Sequence, residues 1–70
     1  MKIVFKDVEQ FQITLIRKGF SQRQFSKEIG ISEAYLHQII NQKKSPSPAV
    51  AKKITEHLEL DFDDIFTVQI

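Results

Sequence analysis

Seventy residues with no cysteine, 41% apolar side chains, two glycines and two prolines describe one small folded domain, because a chain of this size buries only about 60% of its unfolded surface and has room for four or five short elements. The lack of cysteine excludes disulfide staples, thiolate zinc sites and cysteine nucleophiles, and the apolar run Ile3–Phe5 is far too short for a membrane span or a signal-peptide core, so a cytoplasmic protein is expected. The net charge of +1 is segregated: residues 17–53 carry eight basic side chains against Glu28 and Glu33, a local +6, and residues 54–70 carry five acidic ones with no Lys or Arg, so a stretch suited to an anionic partner adjoins an acidic end.

In chain order, Met1–Phe5 is apolar and β-branched and reads as a short strand. Asp7 can cap a helix over about 8–18, with Val8, Phe11, Leu15 and Ile16 as its apolar stripe and Gly19 as its left-handed terminator. Ser21 and Gln24 form a capping box for a second helix of about eight residues, whose Phe25 and Ile29 precede Gly30. Ser32 caps a third helix running to about Asn41, with Leu36, Ile39 and Ile40 turned inward. Lys43-Lys44-Ser45-Pro46 is a basic loop, and Ser47 with Pro48 opens a fourth helix with Val50, Ala51, Ile54 and Leu58 inside. Asp61 caps a last turn, Phe62–Phe66, that closes the core, and residues 67–70 read as a second strand able to pair with residues 1–5.

Gly30, Ile31 and Ser32 supply, in order, a residue that tolerates positive φ, an apolar plug and a cap for the next helix, which is the arrangement of a helix-turn-helix over residues 21–41. At 100° per residue, Ala34, Gln38 and Asn41 point opposite Leu36, with Tyr35 and His37 on the flanks. A small, polar outer face is what a major-groove reader needs. Arg17, Lys18, Arg23, Lys43 and Lys44 lie just outside the two helices, where phosphates would run.

The run from Phe20 through Phe25, Gly30 and Ile31 to Ser32, then Tyr35-Leu36-His37-Gln38-Ile39-Ile40-Asn41 and Pro46-Ser47-Pro48, resembles the Cro and phage-repressor (Xre-type) helix-turn-helix family over about residues 8–66. The resemblance implies an all-α fold: a compact five-helix, lambda-repressor-like bundle, here a single domain over 1–70 with short terminal strands at 1–5 and 67–70. It implies a sequence-specific transcriptional regulator of double-stranded DNA, a small phage or mobile-element repressor or Cro-like protein. Such a protein reads a two-fold operator as a homodimer through helix 33–41. By position, Ser32, Glu33, Ala34, His37 and Gln38 match the groove-facing set. Gln22 matches a phosphate-holding position, Asn41, Lys43 and Lys44 the phosphate-clamping loop, and Arg17, Arg23 and Tyr35 join the phosphate contacts. Three positions depart from the pattern. Ile40-Asn41-Gln42 stands where the family carries Glu-Asn-Gly, Ser26 replaces a small alanine, and Glu33 places a carboxylate at a base-reading position, where it can accept from a cytosine amino group or act against wrong sites.

The remaining polar groups carry simpler readings. His57 has no partner ligand at metal spacing, and Asp61-Phe62-Asp63-Asp64 lacks the glycine and the distal glutamate of a calcium loop. No serine has a paired base or elbow pattern, and there is no glycine-rich phosphate loop, so no enzyme, cofactor, metal or small-molecule ligand is expected. The alternative reading is an antitoxin or other protein-interaction module that uses the same fold, with DNA binding secondary.

Overall fold

The computed structural model describes residues 1–70. The chain runs β1 (Lys2–Phe5), α1 (Val8–Arg17), α2 (Gln22–Ile29), α3 (Glu33–Ile40), α4 (Pro48–Leu58), α5 (Phe62–Ile65) and β2 (Phe66–Gln69). Four of the five expected side-chain caps are in place; at Asp61 the backbone carbonyl, not the carboxylate, accepts from Asp64 N–H at 3.0 Å. Asp7 Oδ1 accepts from Gln10 N–H at 3.2 Å, and the hydroxyls of Ser21, Ser32 and Ser47 accept from the N–H groups of Gln24, Tyr35 and Val50 at 3.1, 3.0 and 3.2 Å. Each such cap stabilises its helix by about 1 kcal/mol. Gln24 Oε1 returns the bond by accepting from Ser21 N–H at 3.4 Å, and the Asp64 carboxylate does the same for Asp61 N–H at 3.0 Å.

The first four helices end alike. After α1, α2, α3 and α4, residues Gly19, Gly30, Gln42 and Glu59 adopt φ of 83°, 78°, 62° and 57°. The next residue in each case donates back to the carbonyl five positions earlier: Phe20 to Leu15, Ile31 to Ser26, Lys43 to Gln38 and Leu60 to Thr55, at 2.9–3.0 Å. These are Schellman closures, which satisfy the last carbonyls and turn the chain sharply. Glycine meets the left-handed requirement at two of them, whereas Gln42 and Glu59 meet it with a side chain present.

Thirteen apolar residues form one core, drawn from every element, with Phe25, Leu36, Ala51, Ile54, Leu58 and Phe66 fully buried. A relay of rings runs through it: Phe66 to Phe5 at 4.9 Å, Phe5 to Phe11 at 4.5 Å, Phe11 to Phe25 at 6.1 Å and Phe25 to Phe20 at 5.4 Å. These separations suit stacked and edge-on ring pairs. The relay ties the strands through α1 to the first helix of the helix-turn-helix. Two buried hydroxyls are satisfied within their own helices, Ser26 by Arg23 C=O (2.8 Å) and Thr55 by Lys52 C=O (2.9 Å).

Three expectations are corrected. Ile16 does not belong to the inner stripe: it is 74% exposed, while Leu15 is buried. Neighbouring helical residues diverge by 100°, and Leu15, one turn beyond Phe11, takes the inward position. Phe66 is not the end of the last turn but the start of β2: its backbone is extended (φ −119°, ψ 161°) although its N–H still donates to Phe62 C=O. The strands accordingly span 2–5 and 66–69 instead of 1–5 and 67–70, paired antiparallel with Lys2 opposite Gln69 and Phe5 opposite Phe66. No helix is long and apolar enough to cross a membrane.

Candidate nucleic-acid interface

The geometry of α2 and α3 follows from local chemistry. Gly30 turns the chain in the left-handed region, Ile31 is half-buried against the core, and Ser32 opens α3. Ser26 lies in the interior at α2, and its small side chain permits the close approach of the neighbouring helix that alanine gives elsewhere. Leu36, Ile39 and Ile40 anchor α3 from below. The opposite face is left to solvent.

On that face Ser32, Glu33, Ala34 and His37 are exposed and Gln38 is half-buried. The Ser32 hydroxyl oxygen is occupied as a cap, so its O–H remains to donate outward. Glu33 stands in the first turn of α3, where a carboxylate complements the helix dipole. Ala34 offers a low surface for close approach. The imidazole of His37 and the amides of Gln38 and Asn41 take part in none of the side-chain hydrogen bonds within the chain. A glutamine in this setting can bond an adenine edge through both atoms of its amide. Tyr35 is half-buried and packs against the core, which fixes the flank of α3.

Cationic groups stand at both ends of this unit. Arg17 ends α1, and Gln22 and Arg23 form the first turn of α2, where the backbone N–H groups of a helix start add to the attraction for an anion. Gln22 is half-buried in a cleft with Leu15, Ile16 and Phe20, while Arg17 and Arg23 are exposed. Beyond α3, Asn41 is the C-cap, and both Lys43 N–H and Lys44 N–H donate to Gln38 C=O at 2.9 and 3.3 Å. Two exposed ammonium groups are thus tied by their backbone to the end of the helix that carries the polar face.

The positive φ of Gln42 gives the turn the path that the family's glycine would supply. Sequence reasoning missed Pro46, which is buried and lines a cleft with Ile3 and Phe5, anchoring the lysine loop against β1. A proline between two serines reads as an exposed turn, and only the strand beneath it reveals otherwise. His57 packs on Phe20 and Phe25 at 5.8 and 5.9 Å and lies 3.4 Å from Glu28, which makes it a brace between α4 and α2.

A helix-turn-helix family model matches residues 13–65. The chain is 31% identical over 52 residues to the uncharacterised helix-turn-helix-type transcriptional regulator YvzC of Bacillus subtilis (strain 168), spanning 74% of this chain and 68% of that protein. Over 51 residues it is 39% identical to the uncharacterised regulator YqaF of the same strain, spanning 73% and 67%. A crystal structure of a Bacteroides fragilis protein described as DNA-binding shares the fold, with a TM-score of 0.73 over 93% of this chain and 98% of that one at 20% identity.

Proposed function

The chain belongs to the Cro/C1-type, Xre-like helix-turn-helix family of transcriptional regulators, and on that premise we propose that it is a sequence-specific binder of double-stranded DNA, acting in the cytoplasm as a small phage or mobile-element repressor or Cro-like protein. That family is a DNA-binding regulator class and not an enzyme class. Residues 1–70 act as one binding unit in which α3 enters the major groove. Ser32, Glu33, Ala34, His37 and Gln38 meet base edges, and Arg17, Gln22, Arg23, Tyr35, Asn41, Lys43 and Lys44 meet phosphates.

One observation carries this reading: a rigidly capped helix, fully anchored on one side, presents short polar side chains on the other and ends in two lysines bonded to its own last turn. A second copy belongs to this reading. Successive half-sites lie about 34–36 Å apart along one face of DNA, the molecule is 33 Å in its longest dimension, and each copy has one recognition helix. A homodimer on a two-fold operator meets that spacing. Selection from random duplex DNA tests the reading: a two-fold consensus should emerge, with affinity falling steeply between about 50 and 200 mM salt. No enrichment, together with salt-independent binding, would overturn it.

A further inference from the structure

The loop after α3 and the outer edge of β1 border a cleft that carries two lysines and no carboxylate. Lys6 N–H donates to Ile65 C=O at 2.9 Å, at the inner end of the ladder. With Val4 opposite Thr67 and Lys2 opposite Gln69, that bond sets the phase. Bonded and non-bonded pairs alternate, so Val4–Thr67 and Lys2–Gln69 exchange hydrogen bonds, and Ile3 and Phe5 turn their backbone groups away from β2. Side chains alternate as well, which puts Lys2, Val4 and Gln69 on the face opposite Ile3 and Phe5. The cleft touches both sets. It therefore wraps the outer edge of β1, and Gln69 reaches it from the neighbouring strand.

Gln42, Lys44 and Ser45 line the cleft from the loop, together with the buried Ile39 and Pro46. The ion pairs within the chain are Lys52–Glu56 and His57–Glu28, so the ammonium groups of Lys2 and Lys44 share this cleft with no counter-charge. Like charges gathered in one place repel, and an anion between them relieves that repulsion. The amides of Gln42 and Gln69 and the hydroxyl of Ser45 make no hydrogen bond within the chain, which leaves their donors open. Gln42 is the most telling of these. Its left-handed backbone (φ 62°) is a conformation in which a side chain is a cost, and glutamine in place of glycine at that point brings an amide to the cleft.

We propose that this cleft binds a phosphoryl group, with Lys2 and Lys44 supplying the charge and Gln42, Gln69 and Ser45 donating to its oxygens. Its volume, about 230 Å³, decides the size of the occupant. Pockets that take whole drug-sized molecules start at about 300 Å³, so the cleft holds the anionic group and leaves outside whatever carries it. Two ammonium groups and three neutral donors around one centre suit the several oxygens of a phosphoryl group better than a carboxylate. The site goes beyond the proposed function, whose phosphate contacts include Lys44 but not Lys2, Gln42, Ser45 or Gln69. The group comes either from the DNA backbone past the contacts of α3 or from a free phosphorylated compound, and the recognition chemistry is the same for both.

Titration of the native chain with inorganic phosphate at constant ionic strength, followed by amide NMR, tests the site without DNA, so its failure and that of the proposed function are distinguishable. Saturable shifts should centre on Ile3, Gln42, Lys44, Ser45 and Gln69, and acetate should not reproduce them. Lys2→Gln should weaken phosphate binding several-fold. Gln42→Gly should do the same while raising stability, which separates a lost donor from a damaged fold. Lys53→Gln, exposed on α4 and outside the cleft, should leave the titration as it is. The salt dependence of DNA binding then identifies the source. If the group is a DNA phosphate, Lys2→Gln lowers the log–log slope by about 0.9 for each copy bound; if it belongs to a free compound, the slope is unchanged and phosphate still titrates the cleft with DNA bound. Shifts that do not saturate, that acetate reproduces, or that survive both Lys2→Gln and Gln42→Gly would overturn the proposal.

Discussion

Replacing Gln42 and Glu59 by glycine should make the protein more stable, and the size of the effect can be worked from the helix ends. Both residues sit at φ near 60° in the same Schellman closure that Gly19 and Gly30 complete without a side chain. The left-handed region costs an L-residue about 1–2 kcal/mol, and glycine's greater freedom in the unfolded chain returns roughly 0.5–1 kcal/mol of that. A net gain of about 0.5–1 kcal/mol is expected for Gln42→Gly. Glu59→Gly should gain somewhat more, because a carboxylate at the C-terminal end of α4 opposes the helix dipole. The converse substitution, Gly30→Ala, should cost a similar amount through conformation alone, since a Cβ there would meet nothing within 4 Å. For a domain of this size 1 kcal/mol corresponds to roughly 4–8 °C in Tm. The two glycine gains should add, because the positions close different helices. Thermal unfolding followed by circular dichroism, with urea melts at constant m, is the measurement. Glycine variants that melt at or below the native temperature would show that the left-handed turns carry no strain.

Lys43→Ala with Lys44→Ala should weaken binding to every DNA sequence and lower the log–log salt slope by up to about 2 for each copy bound, which a salt titration reads directly. Gln38→Ala should cost about 1–3 kcal/mol on the preferred site and relax the preference at one base pair per half-site, leaving non-specific binding nearly unchanged; a uniform loss would make Gln38 a scaffold residue. Ile16→Lys should change stability by less than about 0.5 kcal/mol, whereas Leu15→Ala, one residue earlier, should cost about 3 kcal/mol and threaten the fold; equal effects in denaturant melts would contradict the orientation of α1.

What could be read from the chain, and what could not, divides by the range of the physics. Helix starts were legible because Asp7, Ser21, Ser32 and Ser47 act on an N–H three residues away, and that spacing is visible in the letters. Helix ends were legible only where glycine marks them: Gln42 and Glu59 take the same left-handed turn, and their residue type gives no sign of it. The choice between Leu15 and Ile16 was likewise tertiary, since both fit an apolar stripe until Phe11 and the rest of the core fix the rotation of α1.

The outward face of α3 was readable from helical period alone. Its lysines were readable as charge, but the bonds that hold them to Gln38 depend on the left-handed turn at Gln42, which the sequence conceals. The sheet is the furthest case. Two short runs at opposite ends of the chain suggested strands, yet which backbone groups remain open depends on the phase set by Lys6 and Ile65. Side-chain type cannot encode that phase, because shifting the bonded pairs by one residue exchanges inner and outer edges while leaving the composition of each strand unchanged. Which backbone groups a strand leaves unpaired is therefore invisible in the letters and becomes explicit once the register is known.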